Sequence, residues 1–382
     1  MMKEVFITDY NYITPLGFDV SSNWNALLEG KSGVALHKII ENHDPFFVSM
    51  IDSEKLEEEF TKHFESEQNK SFTRLEKMFL LSLKPLVESH QVTEETGFIL
   101  STTKGNIGLL KNKNTLPEGV YLSNLAKKIA DFFGFKTKPI VVSNACVSGV
   151  VGIAVAKNMI SSGKYKDVFV IAGDEVSEFV ISGFNSFQAI GNGICKPYDK
   201  NRDGINLGEA AAAVYITSEP VKNEKFSFKI LGDSAVNDAN HISGPSRTGD
   251  GLYASIKNAL TEAQVSAQQI DFISAHGTAT IYNDEMEAIA FNRAELQNIP
   301  LNSLKAYYGH CLGASGLLET IISMESALNK TLIPSKNFEE IGISQSLNII
   351  KETQPAEIRY ILKTASGFGG CNAAVVLEKY KE

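Results

Sequence analysis

Short apolar phrases rich in β-branched residues alternate along the chain with longer stretches of helical character. In the first part these are "EVFITDY" (4–10), "TGFILSTT" (96–103), "KPIVVSNA" (138–145) and "KDVFVIAGDE" (166–175), each bounded by polar residues or glycine, which predicts strands. "KPIVVSNA" is followed, after Cys146, by "VSGVVGIAVAKNMISSG", which is apolar on every side and stops at Gly163, so it predicts a helix buried all round and ended by glycine. The second part repeats the order with "FSFKILGDSA" (226–235), "IDFISAHGTAT" (270–280), "LNSLKAYYGH" (301–310) leading into "GASGLLETIISMESAL" (313–328), and "IRYILKTASGFGG" (358–370). Strands separated by helix-length segments predict an α/β protein of parallel sheets covered by helices, and the repeated order predicts two similar units packed together. The junction falls in the polar stretch "SEPVKNEKFS" (218–227), after the strand phrase "AAAVYIT", giving units of 1–222 and 223–382. No low-complexity linker separates them, so the expectation is a large shared interface and a site that draws residues from both units.

Composition narrows the class. With 43% hydrophobic and 21% charged residues over 382 positions, the chain has enough apolar surface for two sizeable cores and is neither disordered nor fibrous. Its four cysteines, Cys146, Cys195, Cys311 and Cys371, have neither metal-finger spacing nor the density of a disulfide scaffold, so free thiols in a reducing compartment are expected. "MMKEVFITDYNYITPLG" lacks the apolar core of a signal peptide, and Ser143, Asn144 and Ser148 interrupt the most hydrophobic internal stretch; a cytoplasmic protein without a membrane segment is expected. A net charge of −9 disfavours nucleic acid and anionic membranes as partners. Any acidic partner needs a local basic patch, and Lys70, Arg74 and Lys77 recur at helical spacing in "NKSFTRLEKMFLLSL"; a solvated helix face explains the same spacing.

The chemistry centres on Cys146, between a strand phrase and the start of the buried helix. A helix N-terminus favours thiolate through its dipole and unpaired N–H groups, which suits a nucleophile. Buried cysteine is also a common packing residue, and Ala145, Gly149 and Gly152 fit close packing equally. His276 follows the strand phrase "IDFISA", at the end where open α/β sheets place ligands. His310 is the positional counterpart of Cys146 in the second unit, so packing about a pseudo-twofold would aim both helix starts at one centre. A histidine there is pushed toward the neutral form, and Lys305, five positions upstream, strengthens that effect if near. Neutral imidazole donates well to a developing oxyanion or enolate. The last glycine-rich phrase, with Gly367, Gly369 and Gly370, lacks the Lys-Ser/Thr of a phosphate loop; a tight loop presenting backbone N–H groups and Phe368 to a reacting carbonyl fits it better. A metal site is not expected, since His310 and Cys311 are adjacent and no H-x-x-x-H or C-x-x-C spacing occurs.

Seven phrases in order, "ITDYNYITPLG", "SNACVSG", "KPYDKNRDGINLGEAAAA", "DANHISGPSRTGDG", "AHGTATIYNDEMEA", "KAYYGHCLGASG" and "SGFGGCNAA", resemble the decarboxylating β-ketoacyl-acyl-carrier-protein synthases of the thiolase superfamily. The resemblance runs nearly end to end. It implies a thiolase-like duplicated α-β-α-β-α five-layer sandwich, a homodimer or a heterodimer with a related ketosynthase-like subunit, acyl carrier protein as partner, and carbon–carbon bond formation without a cofactor, the substrates riding on carrier-protein phosphopantetheine. By position, Cys146 matches the acyl-accepting nucleophile, and His276 and His310 match the pair that assists malonyl decarboxylation. Lys305 and Glu287 match the supporting charges, and Thr278 and Thr280 match the threonines that bind the phosphopantetheine arm. Phe368, flanked by Gly367 and Gly369, matches the residue on the gating glycine loop, with the N–H groups of Cys146 and Phe368 as the oxyanion hole. Lys70, Arg74 and Lys77 become the candidate carrier-protein dock.

The chain departs from the family pattern at Val147, at Ala279 in "HGTAT", at "TASGFGG" and at Gln188, where elongation enzymes often carry an arginine. Together with "SNACVSG", these departures resemble stand-alone condensing enzymes of aryl polyene or other polyketide pigment pathways. A chain-length-factor-like, non-catalytic partner is the alternative, although such subunits usually lose the nucleophile. Cys371 in the final loop keeps a thiolase in view, and a starter-unit synthase would carry asparagine where His310 stands.

Overall fold

The nine apolar phrases fall on nine strands of the main sheet, and a tenth, the last, comes from a stretch they did not include: β1 (Phe6–Ile13), β2 (Thr96–Ser101), β3 (Ile140–Val142), β4 (Asp167–Asp174), β5 (Ala210–Thr217), β6 (Ser227–Asn237), β7 (Phe272–Ser274), β8 (Leu301–Asn302), β9 (Tyr360–Gly367) and β10 (Cys371–Tyr380); the phrase at 301–310 is strand only in β8 and turns helical at Lys305–Tyr308. The computed structural model describes residues 3–65, 72–111, 115–221, 227–239 and 244–381. The strands follow the order β8-β7-β9-β10-β6-β1-β5-β4-β2-β3. This is one five-strand arrangement used twice, since adding five to each label in β3-β2-β4-β5-β1 gives β8-β7-β9-β10-β6. Among the described residues the two groups of strands pair where β1 meets β6, at Phe6↔Lys229 and Ile7↔Phe228.

Parallel pairing holds for three strands of each group and fails for the other two. β3–β2–β4 and β8–β7–β9 are parallel, whereas β4–β5–β1 and β9–β10–β6 are antiparallel. The prediction of wholly parallel sheets is thus corrected. For β9 and β10 the reason is local: the chain reverses between Gly367 and Cys371, which pair with each other, and so short a turn joins only antiparallel neighbours.

Strand alternation sorts side chains into layers. Val168 and Val170 of β4, Ala212 and Val214 of β5, and Val375 and Leu377 of β10 share one core with helices α3 (Ser148–Ser161) and α7 (Ser315–Leu328). On the opposite face of the first group, Phe169, Ile171, Ala211 and Ala213 pack on α1 (Arg74–Ser89) and α2 (Leu122–Phe132). On the outer face of the second, Leu362, Ala374 and Val376 pack on α5 (Asp250–Ala263) and α6 (Ile281–Arg293). The result is an α-β-α-β-α sandwich with α3 and α7 in the middle, which is why both read as apolar all round. Among the described residues no helix is long and apolar enough to cross a membrane.

The middle helices meet at their first turns. A Cβ on Gly149 would lie 2.6 Å from Leu317 N, and one on Gly316 would lie 2.9 Å from Val150 N, so only glycine admits this approach. Gly149 stands three residues after Cys146. The contact therefore brings the start of each middle helix to the centre of the molecule.

Candidate active site

Between β3 and α3 the chain makes a sharp turn with Ala145 at φ 45°, a backbone region that strains a residue bearing a Cβ. Ser148 pins the turn: its hydroxyl donates to Ala145 O at 2.7 Å and accepts the Asn144 N–H at 2.8 Å. Cys146 is thereby held in the buried centre. From the second group, Gly367 closes on it, since a Cβ there would lie 2.9 Å from Cys146 N. The backbone N–H of Phe368 points at the Cys146 sulfur. Burial pushes the thiol up to about 12, with Lys305 pulling the other way. This corrects the expectation of a resting thiolate: at this depth desolvation outweighs the helix end.

His276 leaves the end of β7 with its N–H and that of Gly277 donated to the Glu287 carboxylate, at 2.8 and 2.7 Å. Tyr198 Oη and Asn283 Nδ2 donate to the same carboxylate at 3.0 Å each. Glu287 thus acts on the loop backbone, not on the imidazole. His310 shares a hydrogen bond between Nδ1 and Ser315 Oγ at 3.0 Å, and its peptide is held by Asn206 O and Gly208 N. The two rings stand 5.0 Å apart at 84°. Among the described residues His276 Nδ1 has no hydrogen-bond partner. Burial, then Lys305, drives both imidazoles well below the usual histidine range, with His310 and Lys363 adding to the effect on His276, and Lys363 to that on His310. Both rest neutral.

Lys305 is fully buried and pairs with Glu319 of α7, which also takes Lys363 of β9 at 2.5 Å. Sequence reasoning named Lys305 and missed Glu319 and Lys363. Each is a lone charge inside an apolar run, "GLLETIIS" and "YILKTAS", and that is the available signal. The Thr278 and Thr280 hydroxyls hydrogen-bond each other at 2.9 Å across Ala279, whose φ is 61°. Thr280 then caps α6. Phe368 is partly exposed, stacks on Phe184 at 5.3 Å and meets Phe187 edge-on at 5.4 Å. Both partners belong to the last turn of helix α4 (Glu178–Ser186) and the residue after it, an aromatic cover that sequence reasoning did not anticipate. Gly369 (φ 83°) and Gly370 (φ 75°) turn the loop, and a Cβ on Gly370 would collide with Asp238 O at 1.9 Å. Among the described residues no three histidine, cysteine or acidic side chains cluster as metal ligands do.

The basic patch does not form as expected. Lys70 lies outside the described residues. Arg74 turns inward onto the buried Glu209 carboxylate and the Ile51 carbonyl, with Ser53 Oγ at 3.0 Å. Lys77 has a side chain only 9% exposed and bonds both Glu57 oxygens, at 2.5 and 2.7 Å. The reason is packing: α1 lies against the helix Ser53–His63, and both cations are consumed by carboxylates of the fold.

Residues 2–220 match the family described as Beta-ketoacyl synthase, N-terminal domain, and residues 228–339 match Beta-ketoacyl synthase, C-terminal domain. A 3-oxoacyl-acyl-carrier-protein synthase 2 of Coxiella burnetii is 27% identical over 423 aligned residues, which cover 99% of each chain. Two solved structures share the fold. A ketosynthase in complex with its chain length factor from Xenorhabdus doucetiae superposes with a TM-score of 0.85 at 23% identity, over 99% of this chain and 98% of that one. A beta-ketoacyl synthase from Burkholderia phymatum gives 0.85 at 21%, over 100% of both. Consecutive matches to both parts of the family, on a duplicated sandwich with a thiol and two imidazoles at its centre, mean that this chain belongs to the beta-ketoacyl synthases of the thiolase superfamily.

Proposed function

We propose that the protein catalyses the decarboxylative condensation of a Cys146-bound acyl group with malonyl-acyl carrier protein, giving a 3-ketoacyl carrier protein two carbons longer. The observation that carries this is the pair of buried, neutral imidazoles, His276 and His310, set at right angles in the centre that also holds a buried thiol. In the first step the thiol of Cys146 takes the acyl group from a carrier-protein thioester, and its proton leaves with the pantetheine thiol. The N–H groups of Cys146 and Phe368 stabilise the oxyanion of that transfer. In the second step malonyl thioester loses carbon dioxide, and hydrogen bonds from the two histidines hold the enolate oxygen. Neutral donors suit this step because an imidazolium would quench the carbanion. The carbanion then attacks the acyl thioester, the new carbon–carbon bond forms, and the Cys146 sulfur leaves to be reprotonated.

On this reading Thr278 and Thr280 hold the phosphopantetheine arm, and Phe368, between Gly367 and Gly369, covers the entrance. No metal or cofactor enters. The units 1–222 and 223–382 contribute the nucleophile and the histidines respectively. The protein acts in the cytoplasm, in fatty acid or aryl polyene-type polyketide synthesis, as a homodimer or beside a related subunit. The Xenorhabdus neighbour, captured with its chain length factor, supports the last alternative.

Incubation with acyl carrier protein bearing short or unsaturated chains tests the proposal. Intact mass spectrometry is expected to show an acyl adduct on Cys146 that malonyl carrier protein discharges as ketoacyl product. No adduct with any donor overturns it in favour of a chain-length-factor-like role.

A further inference from the structure

Strand β9 sends one charged side chain to the face that packs against α7. Between Ile361 and Ala365, which join the apolar core there, stands Lys363, fully buried. A buried ammonium persists only where its protons find acceptors. Lys363 Nζ lies 2.5 Å from Glu319 Oε2 and donates to the carbonyl oxygens of Ser274 and Ala275 at 3.2 and 3.3 Å. Ala275 immediately precedes His276, so two of the three contacts grip the strand end from which that imidazole projects. The third reaches the carboxylate already bound to Lys305. Two cations therefore share one anion beside the histidines.

We propose that Lys363 is a positioning residue for the decarboxylation step, fixing the strand end that carries His276 and keeping a second positive charge beside both imidazoles. The other ionisable groups around the centre do not replace it. Glu287 is taken up by the N–H groups of His276 and Gly277, and Asp284 by those of Thr278 and Tyr198. Glu319 is shared with Lys305, and Cys146 rests as a neutral thiol. The downward displacement of both imidazoles, due to burial first and then to neighbouring cations including Lys363, agrees with this role. Burial pushes the Lys363 ammonium down and Glu319 pulls it back up, and in its charged form it favours the negative charge that appears on the substrate when carbon dioxide leaves.

The proposal rests on the condensing-enzyme reading, and its test separates the two. Full-length wild type, Lys363→Met and Lys363→Arg are compared by NMR titration of His276 and His310, and by the pH profile of malonyl carrier-protein decarboxylation. Loss of the cation in Lys363→Met is expected to raise both imidazole values by about one pH unit and to move the acid limb of the profile upward by the same amount. Lys363→Arg is expected to titrate close to wild type. Unchanged titration in Lys363→Met, or an equal shift in Lys363→Arg, overturns the proposal. If Lys363→Met does not fold, Lys363→Met/Glu319→Gln against Glu319→Gln gives the same comparison with the ion pair removed. A titration shift in a protein whose wild type decarboxylates nothing shows that Lys363 tunes the imidazoles but refutes the condensing-enzyme reading, and with it the assignment to the decarboxylation step.

Discussion

The turn that carries Cys146 and the turn that carries His310 precede the two middle helices, pack against each other through Gly149 and Gly316, and differ in charge. The first is built from small and apolar residues and holds Cys146 by backbone geometry, with Ala145 at positive φ and Ser148 bonding across the turn. The second lies over the buried ions Lys305, Glu319 and Lys363. Burial acts in opposite directions on the two functional groups, raising the thiol and lowering the imidazoles. Both consequences leave a neutral group at rest. Duplication set the geometry twice, while the two lysines that lower both imidazoles, Lys305 and Lys363, come from the second unit.

Four measurements break or sharpen this contrast. Cys146→Ala has the largest effect: no acyl adduct by intact mass, condensation reduced by at least about a thousandfold, and malonyl decarboxylation retained. Loss of decarboxylation as well would show that the two turns do not act separately. His310→Ala is the converse, with Cys146 acylated at an ordinary rate and carbon dioxide release slowed by about a hundredfold. Unchanged release would remove His310 from the second step.

Gly149→Ala tests the contact between the turns, and it is expected to lower the urea unfolding free energy by about 1–3 kcal/mol because the obstructing atom, Leu317 N, is backbone. Gly183→Ala, on α4 with no atom near its would-be Cβ, is the control and is expected to cost nothing. The smallest effect is Lys305→Met. Lys305 lowers the Cys146 thiol, so its removal raises the thiol and leaves less thiolate at a given pH. Iodoacetamide alkylation of Cys146 at pH 9 is then expected to slow by about tenfold, the equivalent of one unit.

Much of this arrangement is legible along the chain. The two buried helices announce themselves because a segment enclosed on all sides carries no polar face, and the repeated order of strand phrases anticipates the twofold use of one topology. The last strand was less visible: "CNAAVVLEKY" has small residues and no alternation because both of its faces are covered. Lys70, Arg74 and Lys77 show the opposite failure. Their helical spacing is real for the two described residues, yet Glu209 and Glu57, distant in sequence, consume both charges.

Local features were enough to single out Cys146, His276 and His310 as candidates and to place Cys146 and His276 just after strands β3 and β7, since those features depend on the nearest few residues; His310 instead follows a short helix, Lys305–Tyr308, that separates it from β8. The protonation states and the pairing of the buried charges were not, because they depend on depth and on partners brought in from elsewhere. Glu319 and Lys363 lie 44 residues apart and meet only when β9 packs on α7. The Cys146 thiol is neutral because the sandwich closes over it, a property of enclosure that no local stretch of residues expresses.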